Sequence, residues 1–433
     1  MNKILGVLII FVLISNCSLQ KSRIWTQNKK IESEKEIIIN ELFKDEDALS
    51  KEFNSNIKIN LNSKPLDNTF VDNLNNNNGR INFKGNLKNI SRYKYKKINN
   101  FNQFEPEIAF DNDQIIFFDN KGSIIKFDQH SKIIWKKNHY KKNERKSKPI
   151  LFFANNSKTL IVVDNLAKYY AVNIDNGELL WMKNNVAPFN SQIKIHNDKF
   201  FVVDFENTLR CFSLKNGKEY WNVKTDTSFI KSQKKLSVII LNNIVYFINS
   251  IGDISGVDIE TGNLIWQTPT QSSSIYEDAF LLKSSDMIGH KKLIFFSNNK
   301  NEFFSFDSTS GVLNWKQKIN SNLRPSLTDN LIFSVTREGF LVIMDSKNGN
   351  IIRITNIFDR IKKKKRSKIK PVGFVLGRES IYLTTDNGLL IIIDIITGRS
   401  SSILKIDNDK ISRPFILKNN LFIIKDNAVI KLN

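Results

Sequence analysis

A glycine that precedes a tryptophan by four residues recurs along this chain, and no other feature limits its possible folds so strongly. The clearest copies are Gly177 with Trp181, Gly217 with Trp221, Gly262 with Trp266 and Gly311 with Trp315. Gly349 with Arg353 and Gly398 with Ser402 hold the register without the tryptophan, and Ser131 with Trp135 holds it without the glycine. These seven copies lie 38 to 49 residues apart and take five of the six tryptophans. Asn-Gly, Thr-Gly and Ser-Gly between apolar alternations are hairpin turns, in which glycine supplies the positive φ. The tryptophan then falls on the following strand, where a large flat side chain can pack against the neighbouring unit. Six residues before the glycine a small side chain recurs, at Ala171, Cys211, Gly256 and Ser305. That crowding makes Cys211 a buried small hydrophobe rather than a reactive thiol.

A second series supplies the count. Apolar runs ending in a polar break occur at 115–118, 160–163, 200–203, 244–248, 293–296, 331–335, 381–384 and 421–424, eight in all. Pro106, Pro149, Pro188, Pro325, Pro371 and Pro414 stand upstream of these runs, at strand beginnings where proline breaks no ladder bond. Each unit of about 45 residues is the size of a four-stranded propeller blade. The predicted fold is therefore all-β, an eight-bladed β-propeller. The eighth unit, from about Ser412, reaches Asn433 with one strand too few. The alternating stretch Ile90 to Ile98 supplies it from the other end of the domain, which removes a free sheet edge.

The first sixteen residues stand apart. Lys3 and the apolar run Ile4 to Ile14 read as a secretory signal, too short to span a bilayer comfortably. The run ends at Leu13-Ile14-Ser15-Asn16-Cys17, which resembles a bacterial lipobox and predicts lipidation of Cys17, although Asn16 replaces the usual small residue. Ser18 after the cysteine, by resemblance to enterobacterial sorting, favours the outer membrane. Residues 17–88 are expected to be a lipid-anchored tether, partly helical or disordered, because their Asn-rich second half has no apolar period. Residues 89–433 are the expected propeller.

The net charge of +22 comes from lysines spread along the whole chain beside abundant Ile and Asn, a composition that coding bias accounts for. Nucleic acid is not an expected partner; attraction to an anionic lipid surface is the better functional reading. The basic run 362–368, between the sixth and seventh blades, is read first as a solvated loop and second as a contact for anionic headgroups or an acidic partner.

The unit of small residue, Asp, Thr-Gly or Asn-Gly turn and Trp resembles the quinoprotein-type, or PQQ-like, propeller repeat; Asp258, Thr261, Gly262 and Trp266 carry it most completely. With a lipoprotein signal, one propeller and a closing N-terminal strand, the chain is similar to the BamB family of outer-membrane protein assembly lipoproteins. That resemblance implies a scaffold without catalysis or cofactor. It implies binding to the periplasmic (POTRA) domains of BamA and other components of the barrel-assembly (BAM) complex, and assistance in inserting outer-membrane proteins. In that family the partner is gripped by loops between the third and fourth and between the fourth and fifth blades. Here those loops are about 226–235, with Phe229, Ile230 and Lys231, and 269–278, with Tyr276, Glu277 and Asp278.

Two other readings remain open at this stage. One is a quinone-dependent dehydrogenase, since the same repeat builds such enzymes; the chain has no adjacent cysteines, and Asp258, Asp307, Asp345 and Asp394 recur in one register as turn caps. The other is an envelope propeller that binds polysaccharide or peptidoglycan. His130, His139, His196 and His290 show no metal-ligand spacing, and neither a phosphate loop nor a nucleophile elbow is present.

Overall fold

Short apolar runs separated by turn residues fold into four-stranded antiparallel sheets, repeated eight times. The computed structural model describes residue 49 and residues 51–67, 73–227, 232–271 and 282–433; Leu49–Asn433 form one unit. Blade 1 is typical. Ala109–Asp111, Gln114–Phe118, Ile124–Phe127 and Ile133–Lys137 pair antiparallel in that order, from the channel outward. Six further sheets repeat that order. In blade 8, Phe415–Leu417, Asn420–Lys425 and Ala428–Leu432 are completed by Asn89–Lys94, with Tyr93 opposite Val429 and Lys94 opposite Ala428. The eight-bladed propeller and its closure by an N-terminal strand are thus both present.

The second and third strands of each blade are covered on both faces, because a neighbouring blade lies on either side. Leu160, Ile161, Val162 and Val163, for example, expose nothing, which explains why these strands read as unbroken apolar runs. The core is accordingly divided among the inter-blade gaps. One cluster joins Phe201 and Val203 of blade 3 to Val238 and Val245 of blade 4. Another joins Phe415 and Phe422 of blade 8 to Ile115 and Phe117 of blade 1, closing the ring.

The repeat has a direct physical reading at these junctions. Asp258 Oδ1 accepts the N–H groups of Glu260 at 3.0 Å and Thr261 at 2.7 Å, and Asp307 treats Thr309 and Ser310 in the same way. The aspartates are turn caps, as their register predicts. Gly262 and Gly311 follow with φ of +74° and +70°, and a Cβ on either would lie 2.6 or 2.5 Å from the tryptophan ring of the preceding blade. Trp266 therefore lies flat on Gly311, and its Nε1–H donates to Ser308 O at 2.9 Å. Trp135, Trp181 and Trp315 donate to Ile174, Leu214 and Ser346 in the same register.

At the junction of blades 6 and 7 the tryptophan position is Arg353, which is fully buried. Its guanidinium lies over Gly398 and donates from Nη2 to Ile395 O at 3.1 Å, the bond that an indole makes elsewhere. Its other terminal nitrogen donates to Ile396 O and to Ile57 O, the latter at 2.9 Å. Arginine thus keeps the inter-blade contact and adds a hold on the N-terminal segment.

That segment is a strap, where sequence alone suggested a tether. Phe53 and Ile354 exchange backbone hydrogen bonds at 3.1 and 2.9 Å, Ile59 N donates to Ile396 O, and Glu52 pairs with both terminal nitrogens of Arg399. Asp329 accepts the N–H groups of Asn62 and Ser63. Residues 73–88 then run over the mouth where the inner strands end. The single turn Asn73–Asn75 lies beside the inner strands of blades 4 and 5. Arg80 and Ile81 pair along Leu376 of blade 7, and Lys88 bonds Asn433 of blade 8. Ile59, Ile81 and Phe83 are buried, but Ile81 and Phe83 are one isolated alternating pair far from Ile59, too few to produce a periodic signal. Of the basic run, Lys363–Arg366 form one exposed helical turn.

Candidate functional site

Two places could carry function: the loops of blades 3 to 5, and the channel along the ring axis. Phe229, Ile230, Lys231, Tyr276, Glu277 and Asp278 lie outside the described residues, as does Cys17. The roots of the two loops are described, and they lie side by side. Ser232 Oγ donates to Leu282 O, and Thr270 Oγ1 donates to Gly252 O at 2.7 Å, beside the Leu282 side chain. Both loops therefore rise from one patch of one face, a juxtaposition that their separation by about 45 residues conceals.

The returning limb of the first loop is tied into the channel. Lys234 Nζ bonds both oxygens of Glu105 at 3.1 Å, and Lys235 Nζ pairs with Glu107 at 3.1 Å. Glu107 also takes Arg413 Nη2 at 2.8 Å. Burial opposes ionisation of Glu107, but Lys235 and Arg413 outweigh it and hold its carboxyl down to about 2. Further along the axis Lys194 Nζ donates to Asn76 Oδ1 of the strap, whose amide donates to Gln192 at 2.8 Å. Burial pushes Lys194 down to about 8 despite the nearby Glu107. The channel thus contains linked ion pairs in which Glu107 serves two cations, with the strap across its far mouth. Sequence reasoning missed all of these residues, since none belongs to a local motif.

Cys211 is fully buried opposite Trp221, and burial pushes its thiol up to about 12. Among the described residues no group of three or more His, Cys, Asp or Glu side chains is placed to hold a metal ion. No described helix is long and apolar enough to cross a membrane.

A family model described as outer membrane protein assembly factor BamB matches residues 120–355, more than half of the chain. An outer membrane protein assembly factor BamB of Legionella pneumophila (strain Paris) is 23% identical over 203 residues, 45% of this chain and 48% of that protein. The chain thus spans about half the length of that relative. The crystal structure of BamB from Moraxella catarrhalis superposes with a TM-score of 0.64 at 14% identity, covering 80% of this chain and 99% of that one. A quinohemoprotein alcohol dehydrogenase from Comamonas testosteroni gives 0.62 at 10% identity, covering 82% and 78%. At these identities the structural likeness is one of fold, shared by an assembly factor and a dehydrogenase alike.

Proposed function

This chain belongs to the family of the outer membrane protein assembly factor BamB, and from that membership we propose that it is a non-catalytic scaffold lipoprotein of the outer-membrane barrel-assembly complex. The family match across residues 120–355 carries the reading. Its partner surface is the pair of loops whose roots meet at Ser232 and Leu282, with Phe229, Ile230 and Lys231 contributing apolar and basic contact and Tyr276, Glu277 and Asp278 acidic contact. Exposed apolar residues flanked by charge suit recognition of a folded partner, here the POTRA domains of BamA. In this reading residues 1–16 are removed, Cys17 is lipidated, residues 17–88 lead from the anchor to the propeller, and the protein faces the periplasm at the outer membrane.

The test is affinity purification of the lipoprotein from gently solubilised envelopes. BamA and its companions should be recovered with the native chain and lost when Ile230 and Lys231 are replaced by Ala and Glu. Recovery of the propeller alone from crosslinked preparations would overturn the assembly reading.

A further inference from the structure

The channel mouth at which the inner strands begin is a funnel of about 450 Å³ with an unbalanced charge. Segments leading into all eight blades contribute to its wall, and its lining holds six cations against two carboxylates, Glu105 and Asp386. Lys234 is taken by Glu105, and Lys235 by Glu107 below the funnel floor. Lys283, Arg337, Lys370 and Lys410 remain, and among the described residues none of them has a carboxylate within ion-pair distance. Asp386 is occupied by a backbone bond, accepting the N–H of Lys370 at 2.8 Å.

Lys410 is the centre of this imbalance. It lies on the floor, and its ammonium meets only carbonyls, those of Asn102 at 3.1 Å and Phe104 at 3.5 Å. Lys410 is only partly exposed, and a half-desolvated ammonium without an ion-paired carboxylate gains when an anion arrives. Burial pushes the ammonium pKa down; Glu105 and Asp386 raise it, while Lys234 and Lys283 oppose that rise.

We propose that this funnel is a binding site for a compact phosphoryl anion, held by Lys410 from below and by Lys283, Lys370 and Arg337 from the wall. The volume suits a small ligand and not a folded partner. The cations come from blades 5, 6, 7 and 8, so they approach from several directions. A tetrahedral phosphoryl group presents oxygens in all of them, whereas a planar carboxylate presents two in one plane. Three of the four are lysines, which bind phosphate as point charges, and the fork of Arg337 matches phosphate as well as carboxylate. The axis beyond is closed by Glu107, Lys235 and Arg413, which makes the funnel blind. This assignment does not rest on the partner loops and adds a small-ligand function to the propeller.

The experiment is calorimetric titration of the full chain in neutral detergent at low ionic strength, against chloride of matched ionic strength. The probes are inorganic pyrophosphate, glycerophosphoglycerol (the deacylated headgroup of phosphatidylglycerol) and oligoglutamate. Saturable binding of one phosphoryl probe per chain is expected, weakened at least about tenfold in Lys283→Glu/Lys370→Glu, since four units of charge are reversed at the wall. Both residues are exposed, so this variant keeps its fold, which circular dichroism and an unchanged thermal midpoint verify; Lys410→Met serves as the second variant. Preference for pyrophosphate identifies a free phosphate ligand, and preference for the diester identifies a lipid headgroup. Binding of neither, equal binding by the double variant, or tighter binding of oligoglutamate overturns the proposal.

Discussion

Replacing Arg353 separates two jobs that one side chain performs. Its bond to Ile395 O duplicates the bond that Trp135, Trp181, Trp266 and Trp315 make at their junctions, whereas its bond to Ile57 O holds the strap. Arg353→Trp should therefore restore the inter-blade contact and release only the strap. A hydrogen bond from a charged donor is worth about 1.5–3 kcal/mol, and about 1.4 kcal/mol is a factor of ten, so opening of the strap should rise roughly 10- to 100-fold. Hydrogen exchange of the peptide covering 51–59 reads this directly, because the Phe53 and Ile59 amides donate to Ile354 and Ile396. Global stability of Arg353→Trp in urea should stay within about 1 kcal/mol of the native chain, as for a well-packed replacement. Arg353→Ala should instead lose about 2–5 kcal/mol, because it removes the buried donor to Ile395 O and leaves a cavity over Gly398. Equal exchange at 51–59 in Arg353→Trp and native protein, or equal destabilisation by Trp and Ala, would refute the division of roles.

Gly311→Ala should destabilise the propeller by about 2–4 kcal/mol, since it combines a left-handed residue with a Cβ 2.5 Å from the Trp266 ring; the urea midpoint should fall and tryptophan emission should change. Glu107→Gln should flatten the acid limb of the stability curve. Its folded pKa, about 2, lies below the unfolded value near ~4.3. Its contribution is therefore fully present above the unfolded value and is lost as pH falls through the folded one. The variant should be less stable near neutrality, by on the order of 2 kcal/mol, and the difference should vanish by about pH 2; a constant difference down to that pH would refute the ion cluster.

The fold could be read from the sequence because every blade states its own turn. Asp258 to Trp266 contains the cap, the left-handed glycine and the stacking ring within nine residues, and these depend only on local backbone geometry and the next copy of the same unit. The closing strand was legible for the same reason, as an alternating segment opposite an incomplete last repeat. The partner loops are a different case. Phe229 to Lys231 and Tyr276 to Asp278 were named by resemblance, and only the approach of Ser232 to Leu282 at their roots is described.

Tertiary structure alone decided the role of Arg353, the path of the strap and the charge of the funnel. In the sequence Arg353 is a lost tryptophan, and its partner Ile57 lies 296 residues away. Ile59 packs in one cluster and Ile81 with Phe83 in another, and so few anchors make no sustained period. Lys283, Lys370 and Lys410 are three lysines among many in a chain of net charge +22, each in a different segment between blades. Only closure of the ring brings them to one axis, where convergence and the scarcity of carboxylates turn a diffuse positive charge into a local one. A repeated local motif determines a fold through short-range geometry, but a site built from one residue per blade exists only once all the blades have met.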